Sequence, residues 1–216
     1  MNCNIQAART LCLVLIPAFS LIGQARADEN LFPAKLGSVW TFKGNAGAVN
    51  VAMDATIASS KTDGKKTTVV MRWTKEGAPV QDETYVITSE SVSRSRVGAY
   101  GNIKMDPPFP IIQYPVKINK IWKWSGTVIT PAGSNKAAAI IKVISKENIK
   151  THAGMYSAFR IESMVTFNIK GQSVKVPNIY WFAPDVGMVQ QRMLVPQPDG
   201  KGVVVEASVS AVKIKR

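Results

Sequence analysis

The sequence predicts an all-β fold: a curved antiparallel sheet or open half-barrel built from two repeated strand units. Three observations carry this. Apolar and polar residues alternate with period two along the chain, turn residues separate the alternating runs, and a thirteen-residue motif occurs twice.

Val49, Val51, Met53, Ala55 and Ile57 alternate with Asn50, Ala52, Asp54 and Thr56. Ile161 to Ile169 and Val203 to Ile214 repeat the pattern. A strand points successive side chains to opposite faces, so each run has one face to bury. Asp63-Gly64, Asn45 to Gly47, Pro131 to Gly133, His152 to Gly154, Lys170-Gly171 and Asp199-Gly200 mark the turns. Lys136 to Lys146 has helix-forming alanines, but its isoleucines and valine and its place between turns favour a strand. About ten or eleven strands are expected. Met105 to Pro115 contains Pro107, Pro108, Pro110 and Pro115, so a linker over 105–114 is expected in place of a central strand.

The duplicated motif runs from Phe32 to Gly44 and from Tyr114 to Gly126. In both copies an aromatic-Pro pair is followed by Lys, an aliphatic residue and Gly or Asn, then by an aliphatic-Trp pair, a second aromatic and Gly. Proline fixes the approach, Gly or Asn takes the turn, and Trp shares a face with the aromatic two residues later. Tyr85-Val86-Ile87 before Val92 is echoed by Tyr180-Trp181-Phe182 before Val189. Residues 31–105 and 113–216 therefore read as two versions of one unit within a single β-rich domain, 28–216. Two separate domains are the alternative.

The first 27 residues read as a secretory signal peptide. Arg9 is the positive flank, Leu11 to Ile22 an apolar run too short to span a bilayer, and Ala25-Arg26-Ala27 the cleavage site. Cleavage after Ala27 removes Cys3 and Cys12, the only two cysteines, and excludes disulfides and thiolate chemistry from the product. Leu11 before Cys12 does not suit lipidation there. A periplasmic or secreted protein without a transmembrane segment is expected.

Composition narrows the chemistry. A single histidine leaves no multi-His metal site. His152 sits in a hairpin tip without a nucleophile motif, and no glycine-rich phosphate loop occurs. Glu76, Asp82 and Glu83 could meet across a turn, but a solvated loop is the simpler reading. No catalytic residue, metal or cofactor is expected, and the protein is read as a non-enzyme. A hydrolase is the lesser alternative.

The five tryptophans all fall on predicted strands, where they serve a core or a stacking platform in a concave sheet. The formal net charge is +13, and Lys104, Lys117, Lys120 and Lys123 crowd one region. Trp124, Trp181, Tyr180, Lys117, Lys120 and Lys123 are therefore the candidate ligand-binding residues. Anionic lipid, lipopolysaccharide or another envelope protein are the partners this surface suits, and export argues against nucleic acid.

The second half resembles the DUF3108-like family of envelope proteins. The resemblance rests on Tyr114 to Trp124, on the hairpin Thr151-His152-Ala153-Gly154 with Arg160-Ile161-Glu162, and on Tyr180 to Val189. His152, Asp185 and Met188 depart from the family pattern. The resemblance implies a fold and an envelope location, and no reaction. It also implies a distant likeness to the LolA-like sheets that carry lipoproteins between membranes. The function expected is binding of an apolar or amphiphilic envelope component or another envelope protein, with a structural or assembly role as the alternative.

Overall fold

The computed structural model describes residues 29–169, 172–196 and 202–215. The expected signal peptide and the turns at Lys170-Gly171 and Asp199-Gly200 lie outside these residues. Among the described residues the chain forms β1 (Val39–Ala46), β2 (Val49–Asp63), β3 (Lys66–Lys75), β4 (Ala78–Ile87), β5 (Ser91–Val97), β6 (Ile103–Gln113), β7 (Ile121–Thr130), β8 (Gly133–Thr151), β9 (Gly154–Ile169), β10 (Gln172–Ala183), β11 (Gly187–Pro196) and β12 (Gly202–Lys213).

Each strand pairs antiparallel with the next, and β1 pairs with β12, so the sheet closes on itself. The all-β antiparallel expectation holds, with two differences. The sheet is a closed barrel of twelve strands, where an open half-barrel was expected. Closure uses the β1–β12 seam from Val39↔Lys213 to Ala46↔Val205, a pairing of chain ends that local alternation cannot reveal.

The expected linker is strand β6. It pairs with β5 at both ends, from Ser91↔Gln113 to Arg94↔Phe109 and again at Arg96↔Lys104 and Val97↔Ile103, and Met105 to Pro108 have no β5 partner. It pairs with β7 only through Lys104, Met105 and Asp106. Pro107, Pro108 and Pro110 have no N–H to give, so the ladder toward β7 stops where the prolines begin. Tryptophan indoles take over. Trp124 Nε1 donates to the Pro107 carbonyl at 3.0 Å, and Trp122 Nε1 to the Pro110 carbonyl at 2.8 Å.

Both copies of the duplicated motif build the same corner. Gly37 and Asn119 have φ of 78° and 68°. Gly37 N–H donates to the Ile57 carbonyl and Ile57 N–H to Ser38; Asn119 N–H donates to the Val143 carbonyl and Val143 N–H to Lys120. The tryptophans that follow, Trp40 and Trp122, are both buried. Gly44 and Gly126 leave no room for a Cβ, which would meet the Glu206 carbonyl at 1.9 Å in one case and the Asp106 carbonyl at 2.6 Å in the other.

The barrel is filled from one end. Leu31 and Phe32, on the segment before β1, are buried there. Phe32 packs on Tyr85 with ring centroids 4.6 Å apart, and Lys146 holds Glu29 at 2.8 Å. Trp40, Phe42, Ile57, Val92, Ile112 and Phe182 complete this packed half. Outside, Lys43, Arg72, Lys123, Lys136, Lys175 and Arg192 are exposed. The outer face is mixed, since these charges stand among exposed apolar residues such as Ile121, Ile140 and Met164.

Candidate functional site

A cavity of about 460 Å³ occupies the opposite half of the interior, bounded by β5 to β10. Val128, Val165, Val174 and Val176 form much of its wall. Their alternating positions are the interior phase of β7, β9 and β10. Thr130 and Asn135 lie toward the end where β7 turns into β8. Arg94 and Asn178 lie further in, beside Phe109 and Trp124, whose rings meet edge to face at 5.3 Å. Val174 to Asn178 spans four residues of strand, roughly 13 Å of depth at the usual rise. The volume falls within the ~300–1,000 Å³ of small-molecule sites.

A polar layer separates this cavity from the packed half. Glu83 and Tyr85 face inward from β4. Tyr85 Oη donates a hydrogen bond to Glu83 Oε2, and Gln81 Nε2 donates to Oε1 at 2.7 Å. Arg94 Nη1 stands 3.6 Å from Glu83 Oε1, an ion pair longer than a hydrogen bond. Arg94 Nε is buried and has no hydrogen-bond partner. Burial works against the charge of Arg94, but Tyr180, Glu83 and Tyr85 outweigh it and the guanidinium stays protonated. Burial pushes the Tyr85 phenol well above the usual range, and raises that of Tyr180 as well. Both phenols are therefore neutral hydrogen-bonding groups at ordinary pH.

The candidate residues from the sequence divide between three places. Tyr180 is in the polar layer and Trp124 lines the cavity. Trp181 lies away from the cavity: its indole donates to Glu147 Oε1 at 2.7 Å and the Arg160 guanidinium stands 5.7 Å from its ring. Lys117 and Lys123 are exposed outside the barrel. Lys120 Nζ is turned onto the carbonyls of Gln113, Tyr114 and Pro115, at 3.1, 2.9 and 3.1 Å, where it holds the β6–β7 connection together.

Two other sequence readings change. Asp82 is held by Arg72 through two 2.9 Å hydrogen bonds, which lower its pKa, while Glu83 faces the interior. The acids near Gly77 therefore do not converge, and no metal-binding group of His, Cys, Asp or Glu occurs among the described residues. The hairpin tip at His152 is docked as well as exposed. His152 Nδ1 lies 2.9 Å from Ser208 Oγ, and Ala153 N–H donates to the Val209 carbonyl.

Glu83, Tyr85, Arg94 and Asn178 were not singled out together from sequence. Their signal was available in the alternation: Glu83 shares a strand face with Tyr85, and Arg94 with Val92, so two charged residues occupy an apolar phase.

Two solved structures share the fold. One is a predicted lipoprotein from Parabacteroides distasonis, 15% identical, with a TM-score of 0.59 over 87% of this chain and 100% of that chain. The other is a predicted exported protein with a YmcC-like fold from Bacteroides fragilis, 12% identical, with a TM-score of 0.55 over 84% of this chain and 98% of that one. No curated protein matches the sequence. The DUF3108-like family model matches residues 47–193, from the turn of the β1–β2 hairpin into β11. That span includes the whole polar layer and the cavity wall, and the chain belongs to the DUF3108-like family.

Proposed function

We propose that this is an exported, non-enzymatic envelope protein that binds an apolar or amphiphilic envelope component inside its barrel. The observation that carries the reading is the cavity. An interior of about 460 Å³ walled by valines and aromatics, in a barrel whose other half is tightly packed, holds an apolar group that water solvates poorly. The fold neighbours described as lipoprotein and exported protein support the location. The expected signal peptide accords with it.

The basic exterior belongs to the same proposal. Exposed Lys117 and Lys123, within a formal net charge of +13, suit attraction to anionic lipid or lipopolysaccharide. Lys120 contributes less, since three carbonyls already hold its ammonium.

Mass spectrometry of an organic extract of the exported protein tests the reading. An apolar or amphiphilic compound is expected in the wild-type extract, and its amount should fall in Val176→Trp, which fills the cavity. Equal amounts in the two proteins, or an empty extract together with no uptake of an apolar fluorescent probe, would contradict it.

A further inference from the structure

We infer that the ligand is a single-chain fatty acid, bound carboxylate inward against Arg94 with its chain along the valine-lined cavity. The inference rests on the cavity reading above and adds the head group, its charge and its direction.

Arg94 and Asn178 sit at the inner end of the cavity and the apolar wall lies between them and the mouth. A ligand that meets both must carry its polar group on its leading end and its apolar length behind. Two-tailed lipids do not fit this order, because their polar group joins two chains and is wider than either. A carboxylate ends one chain and adds little to its width.

Charge points the same way. Arg94 is the one charged side chain on the cavity wall among the described residues. Glu83 is its nearest counter-ion, but Glu83 already accepts from Gln81 and Tyr85, and Arg94 Nη1 stays 3.6 Å away. Tyr180 is a further hydrogen-bonding partner of the guanidinium, and the buried Nε donor is left without an acceptor. A buried donor without a partner is costly, and a carboxylate is the acceptor that a guanidinium binds best. Asn178 Nδ2 makes only long contacts, 3.4 Å to Ser163 Oγ and 3.4 Å to the Val176 carbonyl, so it too has hydrogen-bonding capacity to give. Exposed Lys136 and Lys175, on strands that frame the cavity, favour the approach of an anion.

The test compares dodecanoate, 1-dodecanol and dodecylammonium, titrated into the delipidated wild-type protein at neutral pH with an apolar fluorescent probe displaced as the readout. Dodecanoate should bind about tenfold or more tighter than the alcohol, the size expected for a charge-assisted hydrogen bond, and the ammonium should bind weakest. Arg94→Gln should erase the preference for dodecanoate and keep alcohol binding. Arg94→Gln leaves Glu83 without its counter-ion, so Glu83→Gln combined with Arg94→Gln is the second variant. It removes both charges together and should show the same loss of preference. Equal binding of acid and alcohol by wild type, or a preference for the acid that survives in the double variant, would overturn the head-group assignment while leaving the cavity reading intact. Failure of all three probes to bind would overturn both.

Discussion

The barrel has two equivalent seams, β12–β1 before the first copy of the corner motif and β6–β7 before the second, and they are closed by different means. At β12–β1 the backbone ladder is continuous apart from one bulge between Thr41 and Phe42. At β6–β7 it ends at Asp106, and the indoles of Trp122 and Trp124 donate to proline carbonyls. The first motif copy has Phe42 where the second has Trp124. A ring without a donor suffices where the backbone pairs; a donor is required where prolines have removed it. At the second seam the two indoles thus bond proline carbonyls that the backbone ladder leaves unpaired.

The interior differs in the same half-to-half way. Tyr85 pairs in register with Arg94 on β4–β5, and Tyr180 with Gln191 on β10–β11. Glu83 and Asn178 stand two residues before the two tyrosines. One half supplies a carboxylate and a guanidinium, the other two amides. Both charges in the polar layer therefore come from the first half.

The largest effects should come from the shared tryptophans. Trp40→Ala and Trp122→Ala should each lower stability by about 3–5 kcal/mol in chemical denaturation, because both side chains are buried. A near-neutral Trp122→Ala would break the equivalence of the two corners. Gly44→Ala and Gly126→Ala should each cost about 1–3 kcal/mol, since the added methyl meets backbone oxygen on the neighbouring strand.

Trp124→Phe sharpens the comparison of seams. It keeps the ring and removes the donor to Pro107, and should cost about 1–3 kcal/mol by leaving that carbonyl unpaired. Loss of no stability would mean that the β6–β7 seam does not depend on the indole.

Alkaline pH tests the polar layer. Burial raises the phenols of Tyr85 and Tyr180, so above the ordinary tyrosine value of 10.0 the unfolded chain releases protons that the folded chain keeps. Stability should therefore fall as pH rises past that value, and Tyr85→Phe should fall less steeply than wild type in a denaturation series. Identical slopes would contradict the placement of Tyr85.

The smallest effect is expected at the docked hairpin tip. His152→Ala should change stability by no more than about 0.5 kcal/mol, because its hydrogen bond to Ser208 is exposed. Loss of binding with the fold intact would give His152 a role that its position outside the cavity does not supply.

Much of this architecture was legible in the sequence for a local reason. Alternation and turn residues act within a few positions, so the strands, the corner at Gly37 and Asn119, and the shared burial of Trp40 and Trp122 could all be read from residue order. Closure could not, because Val39 and Lys213 are partners from opposite ends of the chain. The proline-rich strand was misread because pairing resumes on either side of the adjacent prolines: Phe109 and Pro110 pair with Arg94 and Ser93 on β5, Lys104 to Asp106 pair with β7, and Pro107 and Pro108 pair with neither. Of the residues offered as ligand-binding, Trp124 and Tyr180 were chosen for their aromatic character and stand in the interior. Arg94 was passed over because the lysine cluster drew attention to exposed charge, whereas this charge stands on an apolar strand face.

Methyl-resolved NMR of the delipidated protein during titration with dodecanoate tests the central claim most directly, because it reads both halves of the interior at once. The valine methyls of Val128, Val165, Val174 and Val176, on the cavity wall, should shift together and saturate. Val69 and Val209, in the packed half, should stay in place. Shifts confined to surface valines such as Val49, or no saturable shift at all, would contradict an account in which the β5–β10 side of the barrel holds the ligand.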